Sequence, residues 1–102
     1  MIAFKIGAAY SAVPALEGAR RRMIVVIGRD EDAGRIQFVW AEDLSIEKVE
    51  TFDLGREVLR TERPDGVYMV SSACEVDAAN AATVLEMLNQ KLDRELEGGR
   101  IC

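Results

Sequence analysis

No histidine occurs anywhere in the chain. The usual general base near neutral pH is therefore missing, together with the Ser-His and Cys-His nucleophile pairs and the commonest zinc ligand. Cysteine is scarce: Cys74 and Cys102 stand far apart, with no CxxC, so neither zinc-site spacing nor a disulfide framework is expected. No GxxxxGK[ST], GxGxxG or GxSxG motif is present, which removes the phosphate-cradling loops and the nucleophile elbow. No apolar run approaches the ~18 residues of a membrane span. Met1 to Ala9 lacks the charged start and long apolar stretch of an export signal. These absences lead to expectations of no enzyme, no cofactor, no metal site and no membrane contact, in a reduced, cytoplasmic setting.

What remains is a chain of ordinary globular composition. Its 102 residues are 49% hydrophobic and 30% charged, enough for one domain with its own core. The net charge of −5 disfavours nucleic acid, whose phosphates attract Lys and Arg. The acidity is uneven. Residues 1–63 hold ten basic and eleven acidic side chains, whereas residues 64–102 hold three and seven.

The first three-quarters of the chain, residues 1–76, reads as β. Ile2, Phe4 and Ile6 alternate with polar or small neighbours and suit a short strand ending at Gly7, which Ala8 to Val13 extends until Pro14 stops it. Met23 to Ile27 is a continuous apolar run, expected of a strand buried on both faces or at the centre of a small barrel. Asp30-Glu31-Asp32-Ala33-Gly34 is turn chemistry, and Ile36, Phe38 and Trp40 then alternate on a half-buried strand. Lys48 to Leu54 and Arg56 to Thr61 suggest two further strands around Gly55. Arg63-Pro64-Asp65-Gly66 is a second hairpin turn, leading into Val67 to Cys74. The spacing of Asp30, Asp32 and Gly34 only loosely matches a calcium loop and is read as an exposed turn. Cys74 is read as a packing residue at a strand end.

Residues 77–97 read as a single amphipathic helix with Asp77 as its N-cap and Gly98-Gly99 as its stop, leaving 98–102 as a tail. Ala78, Ala81, Ala82, Leu85, Leu88, Leu92 and Leu96 fall on one side at helical spacing. Asn89 sits among them. A buried Asn needs local backbone partners, or else it marks a helix–helix seam in which one polar residue sets the register. Leu88, Asn89, Leu92 and Leu96 are therefore the candidate interaction surface on the helix. A helix of about 30 Å exceeds what a small sheet can cover, so Leu92 and Leu96 are expected to overhang and a homodimer to cover them. The other candidate is a basic patch at Arg20, Arg21 and Arg22, with Tyr10, Tyr68 or Trp40 as stacking surfaces.

The fold class expected is α+β: a bent antiparallel sheet or small open barrel of about six short strands, closed by one C-terminal helix. Lys5-Ile6-Gly7 with Tyr10-Ser11, then Met23 to Ile27 and Ile36 to Trp40, resembles the opening of small Src-homology-like barrel proteins, including short accessory proteins of gut bacteria. A sheet capped by a terminal helix is also similar to the pleckstrin-homology arrangement. Both resemblances imply a binding module, and neither carries a site over residue by residue. The function expected is a non-catalytic protein-interaction module acting through a sheet edge or the helix. The alternative is nucleic-acid or ribonucleoprotein binding through the arginine-bearing β-face.

Overall fold

Parity of side chains along six short strands places one apolar set inside a barrel and a second set under a helix. The computed structural model describes residues 4–15, 18, 20–30, 32–52, 58–76 and 78–101, of which 50–52 and 96–101 are described by backbone alone. The strands are β1 Ala9–Pro14, β2 Arg22–Asp30, β3 Arg35–Trp40, β4 Ile46–Phe52, β5 Val58–Arg63 and β6 Gly66–Glu75; the helix α1 is Ala78–Ile101. Every strand is antiparallel to its sequence neighbour, and β6 returns to pair with β1. The sheet thus closes as an up-and-down barrel, whose shortest seam among the described residues lies between β4 and β5.

Alternation sorts the side chains. Tyr10, Ala12, Ile24, Val26, Ile36, Phe38, Trp40, Leu59, Tyr68 and Val70 point inward and form one buried cluster. Ala9, Val25 and Val39 point outward from β1, β2 and β3 and are just as buried, because α1 covers them with Ala81, Val84 and Leu88. The run Met23 to Ile27 is apolar throughout for this reason: its strand has the barrel interior on one face and the helix on the other. Inside, Phe38, Trp40 and Tyr68 stack edge to face at 5.4 and 5.5 Å between ring centroids. An extra residue in β2 between Val26 and Gly28 shifts its register against β3 and adds the bend that closure requires.

The opening of the chain corrects the sequence reading. Residues 4–8 make a turn rather than a strand, and β1 begins only at Ala9. Gly7 takes a positive φ of 84°, a conformation that continuous strand geometry does not use. The turn folds Phe4 over one mouth of the barrel, where it is fully buried against Tyr10 at 4.9 Å. The Lys5 amide donates to the Tyr10 hydroxyl (2.8 Å), and Arg29 Nη1 donates to the Phe4 carbonyl (3.1 Å). The two tight hairpins stand where their turn residues put them: Asp30 pairs with Arg35 around a loop with Gly34 at φ 66°, and Arg63 pairs with Gly66 around Pro64-Asp65. Gly55, expected between the fourth and fifth strands, lies outside the described residues.

The helix packs on β1 and β2 and is anchored at its start by the Val76 amide on the Ala9 carbonyl (2.8 Å). It extends to Ile101, past the Gly98-Gly99 stop expected from sequence. Asp77, the expected cap, lies outside the described residues. The face it buries is Ala81, Val84, Leu85 and Leu88, which are spaced i, i+3, i+4 and i+7. Val84, absent from the sequence-derived set, belongs to that face; Ala78, Ala82, Asn89 and Leu92 do not, and all four are exposed.

Candidate functional site

Opposite the Phe4 plug, the other mouth of the barrel is closed by charge stacked on aromatic rings. Arg63, the last residue of β5, points inward and lays its guanidinium carbon 4.7 Å from the centroid of the Trp40 ring. Arg22, the first residue of β2, does the same over Tyr68 at 5.1 Å. Each cation is held from outside by carboxylates. Arg63 Nη2 pairs with Asp43 in the β3–β4 connection. Arg22 pairs with Asp65 in the β5–β6 turn and with Glu42 at 3.3 Å. The Tyr68 hydroxyl completes the ring by donating to Asp65 Oδ2 (2.9 Å).

The local chain is shaped to present these groups. Leu44 adopts a left-handed φ of 55°, uncommon for a branched side chain and costing about 1–2 kcal/mol. Its amide bonds the Trp40 carbonyl (2.8 Å) and its side chain joins the apolar cluster under the helix, so packing holds the strained turn. Lys91 reaches down from α1 to the Asp43 carbonyl (3.2 Å). The Asp43 carboxylate also accepts from the Ser45 hydroxyl and amide.

Partial burial pushes the Asp43 carboxyl upward, but the Ser45 and Arg63 hydrogen bonds and the Arg63 charge outweigh it and lower its pKa to about 2. The Tyr68 hydroxyl, with Arg22 and Arg63, lowers that of Asp65. For Arg22, desolvation is overcome by Glu42 and Asp65, and its pKa is raised. Asp43, Asp65 and Arg22 are each held in the charged form at neutral pH, and none of the three is poised to exchange a proton. The cap is a neutralised lid, well suited to sealing the barrel. Three donors beneath it, Trp40 Nε1 and Arg63 Nε and Nη1, are buried without a partner among the described residues.

No protein-family model, curated protein or solved structure matches this chain.

The candidate residues from sequence are therefore placed by geometry alone. The basic patch divides: Arg20 and Arg21 are exposed in the β1–β2 connection, whereas Arg22 is turned inward, 17% exposed along its side chain, and occupied by two carboxylates. Tyr10, Tyr68 and Trp40 are at most 2% exposed, so Tyr10 packs on Phe4, and Tyr68 and Trp40 on each other and on internal arginines, rather than on bases. Cys74 corrects its expectation as well; it is exposed at the end of β6, where that strand has run past the packed core. Among the described residues no cluster of acidic or cysteine side chains is arranged to hold a metal ion, and no helix is long and apolar enough to cross a membrane. A cleft of about 250 Å³ lies over Gly28 on the outer face of β2–β3–β4, beside Arg29, Arg35 and Lys48. Its cations are interleaved with acids, since Arg35 is in register with Asp30 on one side and Glu50 on the other.

On the helix, Leu88 is buried, 5% exposed, and belongs to the core rather than to an interaction surface. Asn89 and Leu92 are exposed, and the Leu96 side chain lies outside the described residues. Sequence periodicity had merged two stripes into one. The docked stripe is Ala81, Val84 and Leu88. About 90° round the helix is a second, Ala78, Ala82, Leu85, Asn89 and Leu92, spaced alternately four and three residues apart. Only Leu85 in it touches the barrel cluster.

Proposed function

We propose that the protein is a non-catalytic interaction module that works through this second helical stripe, and that its partner there is another copy of the same chain. The observation that supports it is the spacing. Positions four and three apart are the a and d positions of a coiled-coil heptad, which place Ala82 and Asn89 at a and Ala78, Leu85 and Leu92 at d; Leu96 falls at the next a. Ala78, Ala82, Asn89 and Leu92 in the stripe are exposed, Leu92 at 40%. A single Asn at an a position is the best-attested device for selecting a register in paired helices, and it accounts for a polar residue in the middle of a leucine series. Parallel pairing also avoids like-charge contacts at Glu86 and Asp93, because the g positions that precede them, Ala81 and Leu88, carry no charge. A two-fold dimer covers such a stripe because one surface complements itself.

The non-catalytic reading draws on the lack of histidine and on two carboxylates held ionised, Asp43 by Ser45 and Arg63, and Asp65 by Tyr68 with Arg22 and Arg63. An exposed free thiol at Cys74 suits a reducing, cytoplasmic compartment. Nucleic acid is not the partner we propose, because Arg22 is already neutralised and Arg20 and Arg21 remain against a net charge of −5.

Light scattering across a hundredfold dilution tests the assembly. A dimeric mass that dissociates on dilution is expected, with Leu92→Lys monomeric and as heat-stable as the dissociated wild type. Asn89→Leu should tighten the assembly or raise its order. A monomeric mass throughout, unmoved by either substitution, would falsify the reading.

A further inference from the structure

The barrel is closed by uneven seams. β5 pairs with β6 over six rungs, from Val58↔Ser71 to Arg63↔Gly66, and β3 pairs with β4 over five. Among the described residues the ladder between β4 and β5 has two rungs, Thr51↔Leu59 and Phe52↔Val58, and none on the side toward Ile46. The half of β4 from Ile46 to residue 50, and the half of β5 from Arg60 to Arg63, therefore each have a strand on one side only.

Backbone parity shows which groups face that opening. In an antiparallel ladder the N–H and C=O of one residue point to the same neighbour, and the next residue's point to the other. The Trp40 amide bonds the Ser45 carbonyl (3.0 Å), so residues 45, 47 and 49 turn their backbone groups to β3. Ile46, Lys48 and residue 50 consequently turn theirs to the open seam. The two-residue turn closing at Arg63↔Gly66 similarly commits Arg63 and Thr61 to β6, which leaves Arg60 and Glu62 facing the seam from the other side. Backbone polar groups lying in a row beyond the last rung are what an incoming strand recognises.

Charge says what kind of strand. Continuing the register from Thr51↔Leu59 would set Val49 opposite Thr61, Lys48 opposite Glu62 and Glu47 opposite Arg63. Each charged position meets its opposite, so β5 carries the electrostatic complement of the β4 lip without being joined to it. Instead, Glu62 pairs with Arg60 on its own strand (3.0 Å) and Arg63 pairs with Asp43. Glu47 and Lys48 make no ion pair among the described residues.

We propose that the open half of the β4–β5 seam is a docking site for an extended peptide, which joins Ile46 to residue 50 as an added antiparallel strand. The peptide carries an acidic residue followed directly by a basic one, placed opposite Lys48 and Glu47 on the two faces of the strand. A small or apolar residue precedes them opposite Val49. Ile46, 44% exposed at the end of β4, supplies apolar contact at the rim. Strand addition supplies the affinity through main-chain bonds, while the acid–base order supplies the selectivity. The site shares the interaction-module reading but uses a surface separate from the helical stripe, and Leu92→Lys should leave it intact.

The probe is a peptide with the sequence of residues 58–63, Val-Leu-Arg-Thr-Glu-Arg, titrated into the isotope-labelled full chain. The expected result is chemical-shift change and slowed amide exchange at Ile46 and Lys48. A peptide with its last two residues exchanged should bind about tenfold more weakly, and Lys48→Glu should abolish or reverse that preference. The same titration in Leu92→Lys should give the same shifts, which separates failure here from failure of the dimer. Equal binding of the two peptides, or shifts confined to α1, would overturn the site. So would an α-proton contact between Val49 and Thr61 in the free protein, because that pair meets only if β4 and β5 have already zipped together.

Discussion

The Arg63 guanidinium rests 4.7 Å above the centre of the Trp40 ring while its Nη2 holds Asp43, so one side chain joins the barrel core to the loop that closes it. Trp40 is 1% exposed and the only tryptophan, and the arginine above it, 13% exposed along its side chain, is nearly as enclosed. A cation over an indole face is favoured by the ring's negative quadrupole, and more so when water is excluded from both. Burial of a guanidinium this deep also requires its carboxylate partner, since an unpaired buried charge is strongly destabilising.

Replacing Arg63 separates stacking from charge. Arg63→Lys keeps the charge but loses the planar stack and should cost about 1–2 kcal/mol. Arg63→Leu also strands Asp43 without its cation. Urea unfolding followed by Trp40 fluorescence reports both, with the native emission of the lysine variant shifted to longer wavelength as water reaches the ring. Wild-type emission and midpoint in Arg63→Lys would show that the stack contributes nothing.

Acid should loosen this end of the barrel over a defined range. Asp43 has its pKa lowered from 3.8 to about 2 in the folded chain, so the native state favours its ionised form. That stabilisation is fully present above the unfolded value and is lost as pH falls from about 4 to about 2. In Asp43→Asn the fall in thermal midpoint across that interval should be shallower than in wild type, although the variant is less stable at pH 7. Parallel curves for the two proteins would show that the carboxylate is not linked to folding.

The two helical stripes should respond differently to truncation. Leu88→Ala opens a cavity under α1 and should cost about 2–5 kcal/mol, whereas Leu92→Ala, measured under conditions where the chain is dissociated, should stay within about 0.5 kcal/mol. Denaturant unfolding at low protein concentration distinguishes them. Similar losses at both positions would mean that the helix is docked along a face other than Ala81, Val84 and Leu88.

Much of the architecture was legible. Ile36, Phe38 and Trp40 alternate because one face of β3 is inside, and the turn residues at Asp30 to Gly34 and at Pro64-Asp65 stand where the backbone must reverse. The unbroken run Met23 to Ile27 announced burial on both faces. The opening strand was misread because alternation in Ile2, Phe4 and Ile6 satisfies a strand template as well as a turn with one buried aromatic. Only the closed mouth of the barrel creates the place Phe4 fills. Leu92 is exposed, as expected, but because of the face it lies on, and its stripe was not separable in the sequence from that of Leu88. At 3.6 residues per turn the two lie side by side, and periodicity measures apolar spacing without saying which side meets the sheet.

By itself the sequence determined the number and order of elements, because strand alternation, turn residues and helical spacing are local and act wherever the chain goes. It also determined that ordinary histidine chemistry is absent. The rest was decided by tertiary structure. That Arg22 and Arg63 are lids on aromatic rings, while Arg20 and Arg21 face solvent, depends on where strand ends meet at the barrel mouth. That Asn89 is exposed depends on the angle at which α1 settles on β1 and β2. That the β4–β5 seam stops at Leu59 depends on how far the remaining rungs close the barrel. Each is a contact between residues distant in the chain, set by the shape of the whole sheet, and no local pattern carries it.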